Sequence, residues 1–453
     1  MRMTDLKATL KGTRTCLIKR HTGVFRHLYR RISQTQWYTR EQLEAFQLEQ
    51  LQRVVRHAWE TVPYYRRVMD QGGIHPDDIR QLDDIRRFPI ISKDDLREAG
   101  DEVVSTRYRR VWLTTAHTGG TTGVPVPVRR DPWSVAREHA FVRRQFDWAG
   151  VRISDRCAYL EGRLVAPPGQ TPTRFHYYDA AMRELNLSTF HLTSEVVPHY
   201  VELMNAYGVK ALVAYPSAAY ILAKGCLERK LPVRLHCVLT TSETLDEVKK
   251  KTIAEAFGCP VFDFYGSAER VCYIHMCERG SYHVIPEYGF TELIPAAPPN
   301  ADCCQVVSTG FWNLAMPLIR YNLRDLVKVS GRTCSCGRAF KVVDKIIGRD
   351  DSMIVTPSGL RLGASAIEWI LTNILFTMYD MPIVAGRIIQ NAGDVLTLEY
   401  VPDIGFTSEH RERLQAVMAD QVPTGMHAEL RALKEMDRTS RGKFMSFAVA
   451  EHH

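Results

Sequence analysis

An α/β fold built on a parallel sheet is predicted by the middle of the sequence. Three short apolar runs, VKALVAYP (209–216), LHCVLTTSE (235–243) and CPVFDFYG (259–266), are separated by two longer helical patterns. The order strand, helix, strand, helix, strand produces a parallel sheet with covering helices. A chain of 453 residues also exceeds what one ordinary core serves, so two or three domains are expected.

Helices are predicted before this sheet. Apolar residues recur at three- and four-residue spacing from Glu41 to Met69, which is typical of an amphipathic helix, and Pro63 interrupts the pattern. In the following FPIISKDDL segment, Ser92 is expected to cap the helix that begins at Lys93.

The composition favours a soluble globular protein, with 45% hydrophobic and 24% charged residues. No apolar run approaches the roughly 18 to 20 residues that span a bilayer, and the first residues lack the apolar core of a secretory signal. Eleven scattered cysteines suit a reducing compartment better than a disulfide framework. We therefore expect a cytoplasmic protein.

The positive charge is concentrated at the N-terminus. Residues 1–31 contain nine basic residues and one acidic residue, Asp5, so this segment accounts for the whole net charge of +8. Within residues 1–35, such a basic leader would either be solvated or contact an anionic membrane surface. Nucleic acid would also attract it, but we expect no nucleic-acid partner for the protein as a whole.

A loop of small and hydroxyl residues, TTAHTGGTTGVPVPV (114–128), is a candidate phosphate site. It is not a Walker loop, because Val124 and Pro125 follow Gly123 where Lys and Ser or Thr would be required. Its backbone N–H groups and hydroxyls can still surround a polyphosphate. A plain turn is the alternative.

Further segments carry residues suited to nucleotide chemistry. DFYGSAE (263–269) places a carboxylate just past a strand end, and such a group beside phosphates is a usual ligand of Mg²⁺. PLIRYNLRD (317–325) and GRDD (348–351) supply Arg and Asp, which can meet phosphate and ribose hydroxyls. Lys443, in DRTSRGKF, could stabilise developing negative charge. Taken singly, each has an ordinary reading as a surface group.

The order TGGTTG, YGSAE, RYNLRD, GRDD and a terminal GK resembles the adenylate-forming superfamily over roughly residues 90–450. Within it, VPYYRR, FPIISKDDL and CSCGR look most like phenylacetate-CoA ligase and its capsular-polysaccharide-associated relatives. The resemblance implies a large N-terminal domain (1–347) of mixed and parallel sheets covered by helices. It also implies a small, mobile α+β C-terminal domain (348–453).

The same resemblance implies a role for each motif position. The residues that would hold the ATP phosphates are Thr118, Gly119, Gly120, Thr121, Thr122 and Gly123. The residues that would flank adenine are Ser242, Glu243, Asp263, Phe264 and Tyr265. Gly266 and Ser267, which follow Tyr265, would also contact the nucleotide. Glu269 would bind Mg²⁺, Asp325 would bind the ribose hydroxyls, and Arg349 would lie near the nucleotide. Asp351 would be the hinge between the domains, and Lys443 would be needed for adenylation. One departure is Pro125-Val126-Pro127, where many family members carry a lysine.

A zinc site is predicted separately. Cys334 and Cys336 form a tight Cys-x-Cys turn, and Cys277 with His283 lies upstream. Three thiolates and one imidazole make a closed tetrahedral Zn²⁺ set, and phenylacetate-CoA ligase-like proteins carry a similar pattern. Cys272 and His275 are the alternative upstream pair, and buried, unligated thiols are the ordinary reading.

The expected activity is that of an AMP-forming acid–thiol ligase. A carboxylic acid would react with Mg·ATP to give an acyl-adenylate, and a thiol, foremost that of coenzyme A, would displace AMP. Seven aromatic residues suit an aryl or arylalkyl acid, namely Tyr159, Phe175, Tyr177, Tyr178, Tyr215, Tyr220 and Tyr265. Transfer to an amine or carrier protein and a non-catalytic, zinc-stabilised nucleotide binder are the alternatives. A homodimer is left open.

Overall fold

The computed structural model describes residues 9–449 with gaps. The gaps are residues 11, 14, 118–125, 164, 166–174, 299, 330, 350–353, 359–360, 363–373, 375–377, 379–380, 391–393, 424 and 437–446.

The N-terminal part is helical. A π-helical turn, Leu17–His21, precedes the α-helices α1 (Gly23–Thr35), α2 (Arg40–Thr61), α3 (Pro63–Gly72) and α4 (Lys93–Ala99). The predicted amphipathic helix is confirmed, and it breaks at Pro63, which takes the first position of α3. The predicted cap is also confirmed, because Ser92 Oγ accepts hydrogen bonds from the backbone N–H groups of Asp94 and Asp95.

A large mixed sheet forms the centre of the molecule. Its strands, in spatial order, are β14 (Val342–Val343), β10 (Tyr282–Val284), β9 (Tyr273–Met276), β8 (Val261–Gly266), β7 (Cys237–Thr241), β6 (Ala211–Ala214), β3 (Cys157–Leu160), β5 (Glu184–Leu187) and β4 (His176–Asp179). Strands β5, β3, β6, β7 and β8 run parallel, and three of them, β6, β7 and β8, are those that the sequence predicts. The helices of this region are α5 (Pro132–Trp148), α6 (Val197–Ala206), α7 (Pro216–Glu228) and α8 (Glu247–Phe257).

Two antiparallel elements adjoin this sheet. One is a hairpin of β1 (Thr114–His117) and β2 (Pro127–Arg130). The other is a sheet whose order is β11 (Gly289–Pro295), β12 (Cys304–Gly310), β13 (Tyr321–Lys328) and β15 (Lys345–Arg349). Its apolar side joins the core formed by α2 and α3.

The C-terminal residues have a core of their own, around Ile388, Leu398 and Leu414. The elements here are β16 (Ile354–Val355), β17 (Arg361–Leu362), β18 (Ile383–Gln390), β19 (Val395–Pro402), α9 (Ser408–Gln421), β20 (His427–Ala432) and β21 (Phe447–Val449). The domain boundary at residues 347/348 and the mobility of the C-terminal part stay predictions.

The basic N-terminal segment is packed rather than solvated from α1 onward. Phe25, Leu28 and Ile32 of α1 are buried against α5. A buried ion pair fixes the end of α1, because Arg144 donates both to Glu287 at 2.7 Å and to the Ile32 carbonyl at 2.9 Å. Thr35 Oγ1 donates to the same Glu287 carboxylate at 3.0 Å. The apolar residues of α1 recur at three- and four-residue spacing, which drives this packing, although the segment as a whole is strongly basic.

None of the helices in the described ranges is both long enough and apolar enough to cross a membrane.

Candidate active site

The carboxyl ends of β6, β7 and β8 lie side by side, which is where parallel sheets bind ligands. Ser242 follows β7 with a φ of 73°, a left-handed conformation that costs a non-glycine residue about 1 kcal/mol or more. The neighbouring Glu243 accepts a hydrogen bond from the Ser217 N–H at 3.0 Å. Its carboxylate therefore holds the first turn of α7.

Asp263 belongs to a strand at this edge, but its side chain is buried. One carboxylate oxygen accepts a 2.6 Å hydrogen bond from Thr240, and the other accepts a 2.9 Å bond from the hydroxyl of Tyr282. Burial outweighs these bonds and raises the pKa of Asp263 to about 6. The ring of Phe264 meets His275 edge-on at 6.0 Å between centroids. The adenine-flanking role of residues 263–265 stays a prediction.

Three of the sequence motifs meet at Asp325. The hydroxyl of Tyr265, from YGSAE, donates to Asp325 Oδ2 at 2.5 Å. Arg349, from GRDD, approaches Asp325 Oδ1 at 3.4 Å and donates to the Leu323 carbonyl at 2.9 Å. Both contacts of Arg349 follow from the fold, since β13 pairs with β15 in a register that sets Asp325 opposite Arg349. Residues 60 positions apart are thus joined at one carboxylate.

Glu269 lies near the same cluster and is half-buried. Its Oε1 accepts a 3.1 Å hydrogen bond from the Tyr321 hydroxyl, at the start of β13. Among the residues that the structure describes, Oε2 has no hydrogen-bond or ion-pair partner. A carboxylate anchored at one oxygen and open at the other fits the oxygen coordination of Mg²⁺.

The candidate phosphate loop is bracketed by the β1–β2 hairpin. Residues Thr118–Gly123 lie outside the described residues, but His117 and Pro127 at its two ends are paired. Arg130 of β2 donates to the Ala268 carbonyl, which ties the hairpin to the YGSAE turn. In that turn a Cβ on Gly266 would lie 2.3 Å from the Tyr273 ring, so only glycine fits. Ser267 Oγ is buried without a partner in the described part of the chain.

Other predicted residues divide into two groups. Lys443 and the predicted hinge Asp351 lie outside the described residues. Arg320, whose guanidinium could meet a phosphate on sequence grounds, instead turns into the core. Its guanidinium makes two 2.9 Å bonds to Glu292 and donates to the Phe88 carbonyl at 2.6 Å.

The predicted zinc ligands are brought together. The ligand atoms of Cys277, His283, Cys334 and Cys336 all lie within 4.8 Å of one another. The Cys277 and Cys334 sulfurs are 3.7 Å apart, and the Cys336 sulfur is 3.5 Å from His283 Nε2. Tetrahedral zinc with its usual bond lengths would separate two sulfurs by about 3.8 Å and a sulfur and a nitrogen by about 3.6 Å. The donor set and its spacing fit Zn²⁺.

The alternative upstream pair does not join this cluster. Cys272 is buried beside Thr291, whose hydroxyl lies 3.5 Å from its sulfur. His275 is enclosed by the rings of Trp148, Phe264 and Tyr273.

Sequence reasoning missed two residues that build the site. Tyr321 lies within RYNLRD, yet its contact with Glu269 depends on a pairing between distant strands. Arg130 follows the loop directly, and its position after a Gly-rich turn was the one signal available.

Comparisons with known proteins agree with this geometry. A phenylacetate-coenzyme A ligase of Thermus thermophilus is 26% identical over 409 residues, which cover 87% of this chain and 88% of that protein. The Escherichia coli enzyme of the same name is 26% identical over 344 residues, covering 72% and 76%. Protein CapK of Staphylococcus aureus is 23% identical over 321 residues, covering 68% and 70%. No family model matches the chain.

Solved structures show the same fold. A crystal structure of 2-hydroxyisobutyryl-CoA ligase in the postadenylation state superposes with a TM-score of 0.68 at 21% identity, covering 91% of this chain and 90% of that one. The same ligase in the thioesterification state gives a TM-score of 0.54 at 20% identity, covering 91% of each chain. The chain therefore has the fold of the adenylate-forming ligases, and its resemblance to the phenylacetate-CoA ligases and CapK is confirmed, which supports an AMP-forming acid–thiol ligase as its class of enzyme.

Proposed function

We propose that this protein activates a carboxylic acid with Mg·ATP as an acyl-adenylate and transfers the acyl group to the thiol of coenzyme A. The observation that carries the proposal is the contact of Tyr265, Asp325 and Arg349, which joins three separate motifs beside Glu269. The similarity to phenylacetate-CoA ligases supports coenzyme A as the acceptor.

Each group at this cluster has a chemical task in the proposed reaction. Asp325 accepts from the ribose hydroxyls, because a carboxylate oxygen bonded to Tyr265 still has a second lone pair. Arg349 neutralises that carboxylate and lies beside the nucleotide. Glu269 would hold Mg²⁺, which would supply positive charge to offset the leaving pyrophosphate.

The two remaining tasks belong to segments outside the described residues. The Thr118–Gly123 loop donates backbone N–H groups to the ATP phosphates, and the paired ends of its hairpin support that position. Lys443 stabilises the charge that develops as the acid attacks the α-phosphate. Asp351 is the hinge about which the C-terminal part turns before the thiol attacks.

The acid is proposed to be aryl or arylalkyl, after the activity named in the relatives. Some of the aromatic residues found in the sequence pack against other rings. Tyr178 packs on Tyr207 at 4.7 Å, and Phe175 lies beside His191 at 5.6 Å. Of that set, Tyr159 lines a cavity next to α5.

A structural Zn²⁺ ion is proposed at Cys277, His283, Cys334 and Cys336. The separations among these ligand atoms support it. The cluster joins the β9–β10 turn to the loop that precedes β14, and a closed four-ligand site of this kind stabilises a fold rather than performing chemistry.

The decisive test is Lys443→Ala. Exchange of pyrophosphate into ATP, dependent on an added acid, should fall by about 100-fold or more, because a preorganised cation is lost from the adenylation step. Thioester formation from supplied acyl-adenylate should be retained. Both half-reactions are measured on the same preparation.

Lys434→Ala is the matched control, since Lys434 is an exposed lysine of the same C-terminal part. Equal loss of both half-reactions in Lys443→Ala would contradict its role in adenylation. ATP binding without exchange for any acid would contradict the ligase and favour the non-catalytic nucleotide binder. Exchange without any transfer to coenzyme A would favour an amine or carrier-protein acceptor.

A further inference from the structure

Two arginines meet at the turn that carries Glu269. Arg130, the last residue of β2, donates to the Ala268 carbonyl. Arg270 follows Glu269 directly and has a φ of 59°, and its backbone N–H donates to the Ser267 carbonyl at 3.2 Å. One guanidinium from the hairpin and one from the turn itself therefore lie beside the proposed magnesium ligand.

Three donor atoms at this turn are buried without a protein partner. They are Arg130 Nε, Arg270 Nη1 and Ser267 Oγ, and none of them makes a hydrogen bond within the described ranges of the chain. An enclosed N–H or O–H group without a partner costs free energy, and a charged one costs more. Three such atoms at one turn indicate a group that binds there.

The nearby carboxylates do not satisfy these donors. Glu138 of α5 accepts from two tyrosine hydroxyls and pairs with Arg270 Nε at 3.4 Å, which leaves Arg270 Nη1 without a partner. Asp131 Oδ1 caps α5 by accepting from two N–H groups of its first turn at 2.9 Å. Among the described carboxylates, none forms an ion pair with Arg130.

The charge of Arg130 is not fully compensated by the surrounding protein. Burial and, after it, the neighbouring Arg270 guanidinium lower the pKa of Arg130 to about 10, although Glu138 acts in the opposite direction. The charged form of Arg130 is thus destabilised by its surroundings. An anion bound beside it would stabilise that form and offset the repulsion between the two arginines.

The hairpin that carries Arg130 also brackets the candidate phosphate loop. TTAHTGGTTGVPVPV (114–128) contains no lysine or arginine, so Arg129 and Arg130 are the first of these residues after it. Arg129 donates to Thr115 Oγ1 and is held on the hairpin itself. Successive side chains of a strand point to opposite sides, so Arg130 is the one that reaches the YGSAE turn.

We propose that Arg130, Arg270 and Ser267 form a site for a negatively charged oxygen group of a bound substrate, either a carboxylate or a phosphate. The inference rests on the proposed function, in which the acid supplies a carboxylate and ATP supplies phosphates. Arg130 is a substrate-binding residue in this site, because a guanidinium matches the oxygen geometry of both groups. Ser267 adds a neutral hydrogen bond, and Glu138 positions Arg270.

Arg130→Gln tests the site when the KM for ATP and the KM for the acid are measured separately in pyrophosphate exchange. The KM of the substrate whose anionic group is bound should rise about 10- to 100-fold, the usual loss for a hydrogen bond to a charged group. A rise confined to ATP assigns a phosphate, and a rise confined to the acid assigns its carboxylate. Arg130→Lys should restore most of the loss, because it keeps the charge.

Ser267→Ala is the milder variant, since its hydroxyl has no partner to lose among the described residues. It should raise the same KM about 2- to 10-fold, and it decides alone if the Arg130 variant does not fold. Arg156→Gln is the matched control, because Arg156 is an exposed arginine that also donates to one backbone carbonyl, that of Tyr207 at 2.8 Å. Unchanged KM values for both substrates in Arg130→Gln would overturn the proposal, whatever happens to kcat.

Failure of the ligase is a separate outcome. If no acid supports exchange, thermal shifts with ATP, pyrophosphate and the same acids decide the site without turnover. Stabilisation by one of these anions that Arg130→Gln abolishes and Arg130→Lys restores would support the site. Equal shifts in the wild type and Arg130→Gln, or no shift with any of these anions, would overturn it.

Discussion

Asp263 is a buried acid whose protonation contributes to folding. Its pKa is raised to about 6 in the folded state, against 3.8 in the absence of burial, so between these values the folded chain binds more protons than the unfolded chain. The stability contributed by this group is present below about pH 4 and is lost as the pH rises through 6.

Asp263→Asn removes this titration with little change in shape. We expect the free energy of unfolding of the variant, relative to the wild type, to rise by up to about 3 kcal/mol from pH 4 to pH 7. Urea unfolding at several pH values measures the difference. A constant difference across this range would show that Asp263 titrates normally.

At the scale of residues, prediction succeeded where a signal is local. Ser92 caps a helix whose residues are its own neighbours. Glu269 and Asp325 were marked by their motifs, but the pairing of Tyr321 and Tyr265 with them depends on the packing of β8 and β13. Arg320 shows the opposite case, since its motif suggested a ligand contact and Glu292, an acid 28 positions away, instead binds it in the core.

The cluster of Cys277, His283, Cys334 and Cys336, where we propose zinc, connects whole elements. It joins strands β9 and β10 to a loop more than fifty positions further along the chain, because Cys277 and Cys334 are 57 residues apart. Removal of zinc or of one ligand should therefore loosen this edge of the large sheet.

Cys334→Ser should abolish stoichiometric zinc and lower the melting temperature by about 5 °C or more, since metal binding contributes directly to folding. Elemental analysis by mass spectrometry and a thermal melt measure both. Cys304→Ser is the control, a half-buried thiol outside the cluster. Equal zinc contents in the two variants would exclude the site.

At the scale of elements, the spacing of apolar residues predicted the helices and strands whose signal lies within one segment of sequence. The parallel strands β6 to β8 and the helices α2 and α3 follow from apolar spacing and from Pro63. The antiparallel partners β9 and β10 were not predicted, because their pairing depends on contacts far along the chain. The N-terminal segment was predicted to be a basic leader, but its helix α1 packs against the core. The net charge of a segment does not show that one side of its helix is apolar.

At the scale of the molecule, Lys224 of α7 helps to join the large sheet region to the C-terminal residues. Lys224 Nζ donates to the carbonyls of Met381 at 2.7 Å and of Ile383 at 2.9 Å. Ser194 Oγ also donates to Asp403 at 3.1 Å. These bonds stabilise this arrangement of the two parts.

Lys224→Met should release that contact without unfolding either part. We expect amide hydrogen exchange around Met381–Ile383 to become about tenfold faster, because two hydrogen bonds to a charged donor are lost. Mass spectrometry of the exchanged peptides measures this. Lys251→Met should leave the exchange unchanged, and equal rates in the Lys224 variant would show that the contact contributes nothing.

The hydrogen bonds that fix the end of α1 to Glu287 and Arg144 also bear on the order in which the chain is synthesised and folded. Thr35 and Glu287 are 252 residues apart, so the helix leaves the ribosome long before the carboxylate that receives it. At about 5 to 20 residues per second, this delay is roughly 10 to 50 s. Phe25, Leu28 and Ile32 have no α5 to cover them until Arg144 is synthesised, 112 residues after Ile32. Helix α1 is therefore secured late in synthesis, and until then its apolar side is available to a chaperone at the ribosome.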